Sequence, residues 1–77
     1  MPAQHLTVGA MVYDTAGVTV GTLDRYEPQG SYLVARRGVL FPRDIYIPLH
    51  AFGGTDATGN VRLAVRLGDL LGQTRGH

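Results

Sequence analysis

Val61, Leu63, Val65 and Leu67 alternate strictly with Arg62, Ala64 and Arg66, a period of two that predicts a strand over residues 61–67 with one apolar face. A weaker alternation covers residues 18–26, where Val18, Val20, Thr22, Asp24 and Tyr26 share one face and Thr19, Gly21, Leu23 and Arg25 the other. Gly21 interrupts that strand and predicts a bulge or a sharp bend. Residues 10–13 and 31–36 read as further strands, and the apolar runs Val39-Leu40-Phe41 and Ile45-Tyr46-Ile47-Pro48-Leu49 as two brief ones. Pro42 and Pro48 cannot donate to a ladder, so these last two belong at edges or strand ends.

Turn chemistry separates the strands. In Asp14-Thr15-Ala16-Gly17 the carboxylate can accept from the turn backbone and the glycine can take a positive φ, which predicts a hairpin loop. Glu27-Pro28-Gln29-Gly30 is a second turn, Arg37-Gly38 a third, and residues 53–59, Gly-Gly-Thr-Asp-Ala-Thr-Gly, a long glycine-rich loop. Leu67, Leu70 and Leu71 have helical spacing, but Gly68 and Gly72 limit that helix to one or two turns, with residues 74–77 as a frayed tail. The fold class is therefore all-β: six short strands in one domain over residues 1–77, with its core in about 7–67 and a tail over 68–77 that holds the helical turn.

Composition narrows the chemistry. Seventy-seven residues hold one core and no large enzyme fold, and 11 glycines suit frequent turns between short elements. Seven basic residues, all arginine, against six acidic ones leave a net charge of +1, too little to specify a polyanion, so any such contact has to be local. Zero cysteines remove disulfides and thiolate chemistry. No apolar stretch reaches membrane-span length, and residues 1–8 lack the basic and apolar parts of a signal peptide, so the expected location is cytoplasmic. His5, His50 and His77 have no companion at metal-ligand spacing, and Ser31 lacks the context of an activated nucleophile. The aspartates stand beside turns, and the glycine clusters do not open a helix that could cradle phosphate. No catalytic residue, metal site or cofactor is assigned.

Gly9, Val12, Asp14, Gly17, the run Val20-Gly21-Thr22-Leu23-Asp24, then Tyr32-Leu33-Val34, Ile47-Pro48-Leu49, Val61 and Leu63 together resemble the PRC-barrel, over residues 7–67. That small β-barrel is shared by the photosynthetic reaction centre H subunit, a ribosomal small-subunit maturation factor and short stand-alone bacterial proteins. The resemblance implies a small, six-stranded, partly open β-barrel that docks or scaffolds, and it carries over no catalytic set. Its motifs are turn glycines and aliphatics, which specify how the sheet bends and not what it binds. Residues 36–44 depart from it, being basic and proline-containing.

Two surfaces follow. Arg36, Arg37 and Arg43, interleaved with Val39, Leu40 and Phe41 and flanked by Tyr32 and Tyr46, have the mixture of guanidinium and aromatic groups found on single-stranded RNA surfaces. Residues 10–13 and 45–49 are apolar at nearly every position, more than one barrel interior can take: some of the surplus can lie under the Leu70-Leu71 segment, some can stay exposed, and the remainder, with Val12, Tyr13 and Tyr46 in the expected surface, is covered by a partner protein or a second copy. The expected function is a non-catalytic protein-interaction module, self-associating as a homodimer. An RNA-associated module using Arg36, Arg37 and Arg43 is the alternative.

Overall fold

The computed structural model describes residues 6–27 and 29–75, with side chains to residue 71. Its elements are β1 (Met11–Tyr13), β2 (Thr19–Glu27), β3 (Tyr32–Arg37), β4 (Arg43–Pro48), a single 3-10 turn (Leu49–Ala51), β5 (Phe52–Thr55), β6 (Val61–Leu63) and one helix, α1 (Leu67–Arg75). The six strands form one mixed sheet in the order β4-β3-β2-β1-β6-β5. Neighbours are antiparallel except β1 and β6, which run parallel. The sheet is not closed, and β4 and β5 are its edges. All six strands place apolar side chains in one cluster, built on Val12, Val20, Leu23, Leu33, Ile45, Ile47, Val61 and Leu63 with Phe52 packed against it. Leu70 of α1 joins that cluster, and α1 lies against β4.

Bulges decide which residues face inward. Simple alternation puts Val20 and Leu23 on opposite faces, yet both are buried. The β1–β2 register runs from Val12↔Gly21 to Tyr13↔Thr19, so Val20 is an extra residue beside Gly21, where a bend was expected. A side chain at position 21 would run into the Arg36 carbonyl of β3, so the glycine also allows the two backbones to approach. A second bulge leaves Asp24 without a partner between Leu23↔Ala35 and Arg25↔Val34.

Three expectations need correction. The run at residues 39–41 is not a strand but part of the five-residue connection 38–42 between β3 and β4. The glycine-rich segment 53–59 is not all loop: Phe52–Thr55 is β5, with Gly53 at a bulge against β6, and glycine there marks close backbone approach and not a turn. The strand at 61–67 ends at Leu63, and α1 has nine residues, about two and a half turns, running through Thr74 and Arg75 of the expected tail. Residues 76 and 77, Pro28 of the second turn, and His5 lie outside the described residues.

In the turn after Glu27, Ser31 takes the left-handed conformation, with φ of 62°.

Two loops share one construction. Asp14 Oδ1 accepts from the backbone N–H groups of Ala16 and Val18, the Gly17 N–H donates to the Asp14 carbonyl, and Gly17 has φ of 85°. Asp56 Oδ1 accepts from Thr58 and Asn60 in the same way, the Gly59 N–H donates to the Asp56 carbonyl, and Gly59 has φ of 89°. The Asp-x-x-Gly pattern thus closes both the β1–β2 and β5–β6 hairpins. Asp14 does more: its Oδ2 accepts from the Leu67 N–H at 2.8 Å, tying the first hairpin to the start of α1. That hydrogen bond is the largest cause of an Asp14 pKa below the usual carboxylate range.

Candidate docking surface

The β3–β4 hairpin registers Arg37↔Arg43, Arg36↔Asp44, Ala35↔Ile45, Val34↔Tyr46 and Leu33↔Ile47. Cross-strand partners point to the same face, so this ladder sorts the predicted site residues into two groups. Leu33, Ala35, Ile45 and Ile47 are core, and Arg37 and Arg43 continue that face past the end of the core. On the other face stand Tyr32, Arg36, Asp44 and Tyr46, with Val34 fully covered although it is outside the core cluster.

The expected arginine and tyrosine cluster is accordingly divided. Arg36 faces two carboxylates, Asp44 at 3.5 Å and Asp24 at 3.8 Å. The rings of Tyr32 and Tyr46 pack on each other, centroids 5.3 Å apart and tilted by 59°. Arg37 crosses to β2, where its Nη1 donates to the carbonyls of Thr19 at 2.7 Å and Val20 at 3.2 Å. Arg43 is exposed. Among the described residues, neither Arg37 nor Arg43 has a carboxylate within ion-pair distance.

Val12 is a correction. It has no exposed surface and sits in the core, so it forms no part of an interaction face. Ile45 and Ile47 are likewise inside, and Tyr13 is half-buried. Both bulges in β2 change the course of the sheet around β1, and the open sheet with α1 laid over it takes in more aliphatic surface than the alternation suggested. Tyr46 does reach the surface, at 48% exposed.

The outward apolar surface is elsewhere. Val39, Leu40 and Phe41 are 92, 84 and 87% exposed, the three most exposed large apolar side chains among the described residues. They occupy consecutive positions in the 38–42 connection, between Gly38, with φ of 97°, and Pro42. All three interleave the arginine segment singled out in the sequence, but of them only Phe41 belongs to the expected interaction surface. The signal for the others was present in sequence: an apolar triplet between Arg37-Gly38 and Pro42-Arg43, where a hairpin connection ordinarily carries polar turn residues.

The described residues contain no group of three or more His, Asp or Glu side chains that could hold a metal ion, and His50 is exposed. No buried side-chain nitrogen or oxygen among them is left without a partner. Asp24, Arg25, Glu27, Arg36 and Asp44 form a chain of surface ion pairs, with Arg25 held by Asp24 at 2.8 Å and Glu27 at 3.0 Å. No helix of the described residues is long and apolar enough to cross a membrane.

Fold and surface together define a small open β-sheet, capped by one helix, that carries a bare apolar hairpin tip. Set beside known proteins, the chain matches no family model, no curated protein and no solved structure.

Proposed function

We propose that this chain is a non-catalytic docking module whose contact element is the β3–β4 hairpin tip, Val39, Leu40 and Phe41, with Arg43 beside it. The observation that carries the reading is the near-complete exposure of three adjacent large apolar side chains in a domain whose other aliphatics are largely packed. Water-exposed apolar surface of this kind marks an interaction site, because covering it is favourable and leaving it bare is a solubility liability. The motifs that resemble the PRC-barrel support the same reading, since that family docks and does not catalyse. A second copy of the chain remains a candidate occupant, through this tip or an open sheet edge, and not through the buried faces of residues 12, 45 and 47.

The test is site-specific photo-crosslinking in the cells that make the protein. A photoreactive side chain at position 40 should give adducts that one at Thr58, exposed on the β5–β6 loop, does not. Equal adduct yields at the two positions would remove the tip as a contact element.

A further inference from the structure

The tip and the charges behind it are arranged in depth. At the end stand Val39, Leu40 and Phe41, consecutive and each more than four-fifths exposed, with no polar residue between them. One ladder step back stand Arg37 and Arg43, directly opposite each other across β3 and β4. Two like charges at paired positions repel, and no carboxylate among the described residues offsets them. One step further back is Arg36, already matched by Asp44 and Asp24. The order from the end inward is apolar, cationic, neutralised.

An apolar end with a pair of cations unmatched by any carboxylate one ladder step behind it matches a lipid interface, where acyl chains lie beneath a layer of phosphates and water lies above both. Arginine suits that layer because its guanidinium stays charged and can chelate a phosphate with two N–H groups. Arg37 is already braced by the Thr19 and Val20 carbonyls, which fixes its charge at the level of the hairpin base. We infer that the docking surface is occupied by an anionic bilayer, with Leu40 and Phe41 entering the interface and Arg37 and Arg43 contacting lipid phosphates. This rests on the docking reading above and names its partner.

Three apolar side chains and two cations make a weak, reversible anchor, so the measurement is partitioning. The full chain is incubated with phosphatidylcholine vesicles, with and without phosphatidylglycerol, and sedimented. Binding is expected to the anionic vesicles only and to weaken as salt rises. Arg43→Ala should weaken it about fivefold, the contribution of one basic side chain near an anionic surface. Leu40→Ser combined with Phe41→Ser leaves the charge unchanged and should abolish measurable sedimentation. The chain has no tryptophan. Phe41→Trp therefore supplies a single reporter whose emission should shift to the blue on adding anionic vesicles, while Thr58→Trp should not shift.

Sedimentation by the serine variant equal to that of the unaltered chain would show attraction by charge alone and overturn the inference. So would an unshifted emission from the Phe41→Trp variant, or no binding to anionic vesicles at low salt. Protein adducts at position 40 in cells together with no vesicle binding would overturn the bilayer and leave the docking module standing, whereas loss of both removes the tip altogether.

Discussion

Asp14 shows how much structure one carboxylate can hold. It is 3% exposed, and its two oxygens serve three backbone N–H groups, two in its own turn and one at the start of α1. Only the ionised form can accept at all of these points, which holds its pKa below the usual carboxylate range, with the Leu67 hydrogen bond as the main cause. Asp56 is depressed in the same direction, chiefly by the Thr58 hydroxyl. A folded-state pKa lowered in this way contributes stability that is present above the unfolded carboxylate range and is lost as pH falls through the folded value. The urea midpoint should therefore drop on acidification below about pH 4. Asp14→Asn should start lower at neutral pH and drop by less, and parallel curves for the two proteins would contradict this account. Gly21 is the complementary case, a residue needed for what it lacks. Gly21→Ala forces a methyl group into the Arg36 carbonyl and should cost about 1–3 kcal/mol in urea unfolding, with no loss for Gly68→Ala, whose added carbon meets nothing.

Among the elements, the β3–β4 hairpin separates stability from contact. Its strands carry Leu33, Ala35, Ile45 and Ile47 into the core, while its tip touches nothing that the fold needs. Serine at positions 39, 40 and 41 should leave the unfolding free energy from urea titration within about 0.5 kcal/mol, and Leu33→Ala should cost about 2–5 kcal/mol. A tip variant that unfolds the domain would show that residues 39–41 pack in solution and would withdraw them as a docking surface. The sequence reading fails at this hairpin for a physical reason: a local apolar run has the same pattern whether it is bound for a core or for a partner, and only the ladder register decides. β5 was hidden by the opposite ambiguity, since Gly53 and Gly54 suit a turn as well as a bulged strand. The Asp14 and Gly17 loop was legible because carboxylate and glycine act within their own turn. The Leu67 contact was not, since it joins residues 53 positions apart.

At the level of the whole molecule the open edge and the short helix belong together. A sheet that does not close leaves its core exposed along the gap, and here α1 lies against the edge strand β4 and inserts Leu70, 2% exposed, into the cluster. Five of the six strands and the bulge at Gly21 followed from alternation and turn residues, while the count of six agreed because the expected strand at 39–41 and the unexpected β5 offset each other. Cover from the Leu70-Leu71 segment was one expected place for the apolar surplus, but the length of α1 was not legible, because Gly68 and Gly72 lower its intrinsic propensity and its formation depends on tertiary packing. A chain of 77 residues has little stability to spare, about 0.05–0.15 kcal/mol per residue. Removing a buried leucine side chain costs about 2–5 kcal/mol, a large fraction of that total. Leu70→Ala should therefore lower the urea midpoint steeply and increase binding of a hydrophobic dye even before unfolding, as the gap beside β4 opens. Leu71→Ala, at a half-buried position, should do less of both. If the two substitutions proved equal and mild, α1 would be an appendage, and the sheet would have to shield its core by bringing β4 and β5 together.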